Sequence, residues 1–189
     1  FDKVGNLGSF EFRDFIGFGA DGPYYAVGGG GAIAENTTGL WEKAKGPTTF
    51  VLHGVWGASP DDLWAVGNKG TMLRNTGAGW LEYESPTQLG LYDICGRAAD
   101  DAYAAGQNGV LVHWDGMTWN VLMSNTTAAL RSVWGLGPKD VYAVGHGATI
   151  MRFDGLFWRQ VKVEDEVKGG ELFPVVDNLY DIWGTAHDN

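Results

Sequence analysis

Trp41, Trp80, Trp119 and Trp158 stand 39 residues apart at every step, and Gly28, Gly67, Gly106 and Gly145 keep the same interval. The glycines end the phrases "YYAVG", "LWAVG", "AYAAG" and "VYAVG". Upstream, "GVWG" ends at Gly57, "DICG" at Gly96, "SVWG" at Gly135 and "DIWG" at Gly184. A fixed period of this length means one supersecondary unit stacked on copies of itself, each burying the apolar face of its neighbour. The chain can fold only into something built from that unit.

The unit reads as four short strands. "LRSVWG" is followed by the polar turn "LGPKD" and by "VYAVG"; a glycine-rich turn leads to "ATIMRF", and Asp154-Gly155 turns the chain into "FWRQVKV". Asp-Gly adopts the positive φ of tight hairpins, and no window carries helical periodicity with caps. Four antiparallel strands in roughly 40 residues are the signature of a β-propeller blade. The Trp after each hairpin turn is expected to fill the wedge between blades, removing about 150–250 Å² from water, worth roughly 4–6 kcal/mol before entropy.

The last interval differs. Gly135 to Gly184 spans 49 residues, which places a ten-residue insertion within 162–178. The chain then stops at "GTAHDN", and its start, "FDKVGNLGSFEFRD", supplies a continuation: Val4-Gly5 matches Val144-Gly145 and Asp14 matches Asp154. The predicted fold is therefore an all-β propeller of five four-stranded blades in one domain, 1–189. Its blades are expected at 15–50, 51–88, 89–128, 129–178, and 179–189 with 1–14, the last shared by the two termini so that no edge stays open.

A net charge of −10 disfavours a nucleic-acid backbone as partner, and no apolar run is long enough to span a membrane. With Cys95 alone, no disulfide forms within the chain, and a buried, inert thiol is expected there. Metal chemistry needs clustered ligands. His53, His113, His146 and His187 each stand alone, and the "EDE" run at 164–166 reads as a solvated loop before it reads as a Ca²⁺ site. The "GGGG" at 28–31 falls in a strand-connecting turn, and no phosphate-binding loop or nucleophile elbow appears, so no cofactor and no metal are expected. Asp93 and Asp181 share one place in the unit, which raises a glycosidase with carboxylates at the ring mouth as an alternative.

The phrases "LHGVWGASPDDLWAVGNKGTML" and "LRSVWGLGPKDVYAVGHGATIMRFDGLFW" resemble propeller repeats of secreted and surface proteins of bacteria, notably myxobacteria. The resemblance covers nearly the whole chain and implies a propeller exposed outside the cell or on its surface. A weaker similarity links Asp115-Gly116 and Asp154-Gly155 to Asp-box propellers, although Thr37 and Thr76 replace the Asp in the first two units. The five-blade count resembles small propeller lectins in architecture.

A non-catalytic binding module is the expected function, recognising a glycan or a protein partner through one propeller face. The second expectation is a structural or assembly domain, or a fragment of a larger surface protein. Sequence that departs from the repeat while the scaffold stays fixed is where a repeat protein carries a particular task. The turns between second and third strands depart most, and they share a face with the blade-to-blade links. The predicted ligand-binding residues are accordingly Asn6, Asn68, Lys69, Gln107, Asn108 and His146, with Glu164 and Asp165 of the acidic insertion as a rim.

Overall fold

The computed structural model describes residues 11–137, 139–162, 166–168, 171–173 and 176–184. Each unit of the repeat becomes one antiparallel four-stranded sheet with its strands in chain order. Sheet I holds β1 (Phe12–Gly17), β2 (Tyr24–Gly28), β3 (Ile33–Asn36) and β4 (Glu42–Ala44); sheet II holds β5 (Leu52–Ser59), β6 (Asp62–Gly67), β7 (Met72–Asn75) and β8 (Trp80–Tyr83). Sheet III holds β9 (Leu91–Ala98), β10 (Asp101–Gly106), β11 (Leu111–Trp114) and β12 (Trp119–Leu122); sheet IV holds β13 (Leu130–Gly137), β14 (Asp140–Gly145), β15 (Ile150–Phe153) and β16 (Trp158–Gln160). The first strands are innermost: β1 packs on β5, β5 on β9 and β9 on β13.

Between successive sheets lies a buried aromatic and aliphatic layer. Trp80 is buried with Tyr25, Ile33 and Leu63 between sheets I and II. Trp119 is buried with Trp64 and Trp114 between II and III, and Trp158 with Tyr103 and Met151 between III and IV. Their exposures are 4%, 5% and 4%, so these three are the inter-sheet wedges that the spacing predicts, whereas Trp41 of the first blade is only half-buried and lies by Tyr24 of its own sheet.

The close of each second strand explains the invariant glycine. A Cβ on Gly67 would strike the carbonyl oxygen of Val51; on Gly106, that of Gly90; and on Gly145, that of Ala129. The residue entering each innermost strand approaches so closely that only a hydrogen fits. The following turn is tied to the same carbonyl: Asn68 N donates to Val51 O at 2.9 Å and Gln107 N to Gly90 O at 2.8 Å.

The described residues form four four-stranded sheets, not the predicted five. Residues 179–184 do lie against sheet IV, where a Cβ on Gly184 would meet the Trp134 ring as one on Gly96 would meet Trp56. They carry no strand pairing, and the termini expected to complete the sheet, 1–10 and 185–189, lie outside the described residues. The first unit also begins earlier than predicted. Asp14 does not match the hairpin residue Asp154; it sits in β1, whose "FRDFIG" takes the place of "LYDICG" in β9. Within the insertion, β17 (Glu166–Lys168) and β18 (Glu171–Phe173) pair as a two-stranded antiparallel sheet, an element absent from the sequence reading.

Candidate functional site

Two adjacent columns of the innermost strands carry the chain's most unusual polar chemistry. The second residue of each gives Arg13, His53, Tyr92 and Arg131, with Tyr180 at the same place in the segment beside sheet IV. The third gives Asp14, Gly54, Asp93 and Ser132, with Asp181.

The second column gathers cations in a chain of net charge −10. The Arg131 guanidinium lies 4.4 Å from the centroid of the Tyr92 ring, and the His53 ring meets Tyr92 edge-on at 5.5 Å. Burial lowers the His53 pKa; its hydrogen bond to Asn68 opposes this, and the charges of Arg13 and Arg131 press it lower. Both guanidiniums therefore bear on one imidazole, which stays neutral while they supply the positive charge.

The turns predicted to bind ligand surround this column, and most of their side chains are spent on holding it. Asn68 Oδ1 and His53 Nε2 are 2.8 Å apart, and Arg131 Nε donates to His146 Nε2 at 2.9 Å. Gln107 Oε1 accepts from Gly90 N at 3.3 Å. Lys69 and Asn108 occupy the left-handed middle position of their turns, at φ 57° and 55°, and both are exposed. The Lys69 ammonium rests 4.7 Å from the centroid of Phe50. Asn68, Gln107 and His146 thus act as braces, while Asn108 is exposed and Lys69, also exposed, rests on Phe50. Asn6, Glu164 and Asp165 lie outside the described residues.

The third column ties the strands together. Asp14 Oδ2 accepts from Val55 N at 2.8 Å, and Asp93 Oδ2 from Val133 N at 2.8 Å, so each carboxylate bridges to a neighbouring innermost strand. Ser132 Oγ lies 2.7 Å from Asp93 Oδ2 and 3.0 Å from Asp181 Oδ1. The expected convergence of Asp93 and Asp181 is therefore present. A hydroxyl has one proton to donate, so making both bonds requires a proton on one carboxyl. Burial pushes the Asp93 carboxyl up to about 6, against the hydrogen bonds from Ser132, Val133 and Ile94. With its oxygens engaged by backbone N–H groups and Ser132, Asp93 holds strands rather than presenting an acid to a sugar. Beside it, Cys95 is half-buried and burial raises its thiol pKa, in keeping with an inert role. Among the described residues no group of three or more His, Cys, Asp or Glu is placed to hold a metal ion.

No protein-family model matches the chain, and no curated protein does. Solved structures do. The structure described as YCF48 bound to D1 peptide superposes with a TM-score of 0.61 at 16% identity, over 79% of this chain and 53% of its own. YCF48 from Cyanidioschyzon merolae superposes with a TM-score of 0.62 at 18% identity, over 82% of this chain and 57% of its own. The fold is a β-propeller. The four sheets are its blades, and the chain spans a little over half the length of these YCF48 structures. These neighbours are not secreted bacterial surface proteins, and the expected extracellular or cell-surface location is corrected accordingly.

The cationic column was missed in the sequence because the repeat hides it. Its residues fall at a variable position, each preceded by the apolar residue that opens its strand (Phe12, Leu52, Leu91 and Leu130). The available signal was that one column of an acidic chain takes Arg, His, Tyr and Arg in four successive units.

Proposed function

We propose that the chain is a non-catalytic binding module that engages a protein partner at the mouth formed by Arg13, His53, Tyr92 and Arg131, through an anionic group of that partner. The carrying observation is that the Arg131 guanidinium stacks on Tyr92 while the charges of Arg13 and Arg131 both act on the half-buried His53, in a chain whose net charge is −10. Guanidinium forks match carboxylates in shape and charge. Lys69 and Asn108 project beside them as a rim, and the braced turns keep the site preorganised. A fold relative is described as bound to a peptide, which supports a protein over a glycan. The carboxylates nearest the axis are occupied in tying strands, which argues against glycoside hydrolysis there.

The experiment is affinity capture on the immobilised chain from the native extract, with a photo-cross-linking residue at Tyr92 and a parallel Arg13→Glu/Arg131→Glu variant of unchanged melting temperature. The expected result is a partner cross-linked at position 92 and lost from the charge-reversed variant. Equal capture by both chains would sink the assignment. Turnover of chromogenic glycosides, abolished in Asp93→Asn, would replace it with the enzymatic reading.

A further inference from the structure

The chain has six arginines. Four of them rest on aspartates: Arg74 on Asp62, Arg97 on Asp101, Arg152 on Asp140 and Arg159 on Asp154. The other two, Arg13 and Arg131, stand at the mouth, and among the described residues neither makes an ion pair. In a chain of net charge −10, the mouth is thus where guanidinium charge is left without a counter-charge.

The two imidazoles beside these arginines are wired in opposite senses. His53 Nε2 lies 2.8 Å from Asn68 Oδ1. A carboxamide oxygen only accepts, so this nitrogen carries the proton of the neutral ring. The other nitrogen, Nδ1, has no hydrogen-bond partner among the described residues. A second proton can therefore enter His53 at Nδ1 without breaking the bond to Asn68. His146 differs. Its Nε2 accepts from Arg131 Nε at 2.9 Å, so a proton placed there would expel the bond that aims the guanidinium. Protonation adds a cation to the mouth at one ring and loosens Arg131 at the other.

The setting of His53 keeps the second proton off. Burial acts most strongly, and the charges of Arg13 and Arg131 add to it, against the hydrogen bond to Asn68. The other titratable and charged side chains nearby are Asp14 of β1, Tyr92 and Asp93 of β9, and Lys69 of the turn that carries Asn68. Asp14 accepts from Phe15 N and Val55 N, and Asp93 from Ile94 N and Val133 N, so both carboxylates are engaged with backbone. On β2 and β6, Tyr24, Tyr25 and Asp62 lie toward the far ends of the strands, where Tyr24 pairs with Gly17 and Asp62 with Ser59. An anion that pairs with the two guanidiniums reverses the balance. It cancels their repulsion of a charged imidazole and offers Nδ1–H an acceptor.

We infer that the mouth takes up its anion together with a proton: the group that pairs with Arg13 and Arg131 is also held by a protonated His53, through Nδ1–H, and is gripped more tightly as pH falls. The proton comes from solvent and returns to it when the anion leaves. This coupling rests on the mouth being an anion site and adds its regulation. By linkage, the anion tightens the hold of His53 on the proton and the proton tightens the hold on the anion by the same factor. The gain is complete below the pH at which His53 titrates in the free chain. It is lost as pH rises through the higher value of the anion-bound chain.

The probe is inorganic sulfate, which stays fully ionised from about pH 5 to 8, the range in which histidine titrates. It is added to the whole chain while the His53 and Tyr92 ring resonances are followed by NMR. In saturating sulfate His53 is expected to hold its proton about tenfold more tightly, and sulfate to bind about tenfold more tightly at the acid end. In His53→Gln, which keeps a donor for Asn68 but takes up no proton, the affinity should no longer vary with pH. Sulfate that moves the Tyr92 resonances and leaves the His53 titration where it was would overturn the coupling and retain the anion site. No response of Tyr92 at any pH would remove the anion site, and the coupling with it. An affinity that falls toward acid, as release of Arg131 by His146 would cause, would overturn the coupling too. So would a pH dependence that survives His53→Gln, and its disappearance in Asp93→Asn would then assign it to that carboxylate.

Discussion

The glycine that ends the second strand of every blade stands where no side chain fits, and this is a different constraint from a turn that needs positive φ. Gly106 is extended, and the obstacle to a Cβ is the backbone carbonyl of Gly90, which cannot swing aside as a long side chain would. Gly106→Ala is therefore expected to cost about 2–3 kcal/mol in chemical unfolding. Gly137→Ala, where a Cβ meets nothing within 4 Å, should change stability by less than about 0.5 kcal/mol. Equal effects would show that the spacing reflects strand propensity instead. Asp93 makes a second prediction at this scale. Burial raises its carboxyl to about 6, whereas an unfolded aspartate titrates near 3.9. The folded chain then holds the proton more tightly, so this contribution is complete below about pH 4 and is lost as pH rises through about 6. Asp14 is raised by burial in the same sense, while His53, lowered by burial, loses its contribution as pH falls. Comparison with Asp93→Asn isolates the one group. The stability difference between the two chains should change by on the order of 2 kcal/mol between pH 4 and 7, and parallel profiles would remove Asp93 as the titrating group.

At the scale of elements, the hairpin before the outer strand shows what sequence could and could not reveal. Asp115 and Asp154 were legible as turn residues, and both accept two backbone hydrogen bonds: Met117 N and Thr118 N on Asp115, Leu156 N and Phe157 N on Asp154. Thr76 looked like a defect in the motif of blade II. The acceptor there has moved one residue back: Asn75 Oδ1 takes Gly77 N at 2.9 Å and Gly79 N at 3.2 Å. Strand β1 was misread for a related reason. Its Phe12, Phe15 and Ile16 replace the Leu, Val and Trp of the repeat phrase, and a one-residue insertion separates it from β2, so in sequence Asp14 falls in line with a hairpin residue. The wedge tryptophans were legible because each touches two sheets and tolerates no change of register. Trp119→Ala opens the layer shared with Trp64 and Trp114 and should cost about 3–5 kcal/mol in denaturant unfolding. A loss under about 1 kcal/mol would mean that the layer collapses to fill the gap.

At the scale of the whole molecule, the flank between the segment 179–184 and β1 is unlike the other three blade junctions. Val55, Ile94 and Val133 are buried in their innermost strands, whereas Phe15 at the matching place in β1 is 68% exposed. Trp56 packs against the core shared by blades II and III, but Trp183, its counterpart beside blade IV, is 79% exposed. Tyr180 is exposed as well, at 66%. The two flanks are nevertheless within electrostatic reach of each other: besides burial, the charge of Asp181 also raises the Asp14 carboxyl. An exposed apolar flank of this kind separates two states by one measurement. If the flank is open in solution, Trp183→Ala should alter stability by less than about 0.5 kcal/mol, whereas Trp56→Ala should cost about 2–4 kcal/mol. If instead further chain covers it, the two substitutions should cost the same, because Trp183 would then fill a wedge as Trp56 does. Repeating the Trp183→Ala measurement over a wide range of protein concentration tells the sources of such a cover apart. A cost that grows with concentration belongs to a second copy, and a constant one to residues of the same chain.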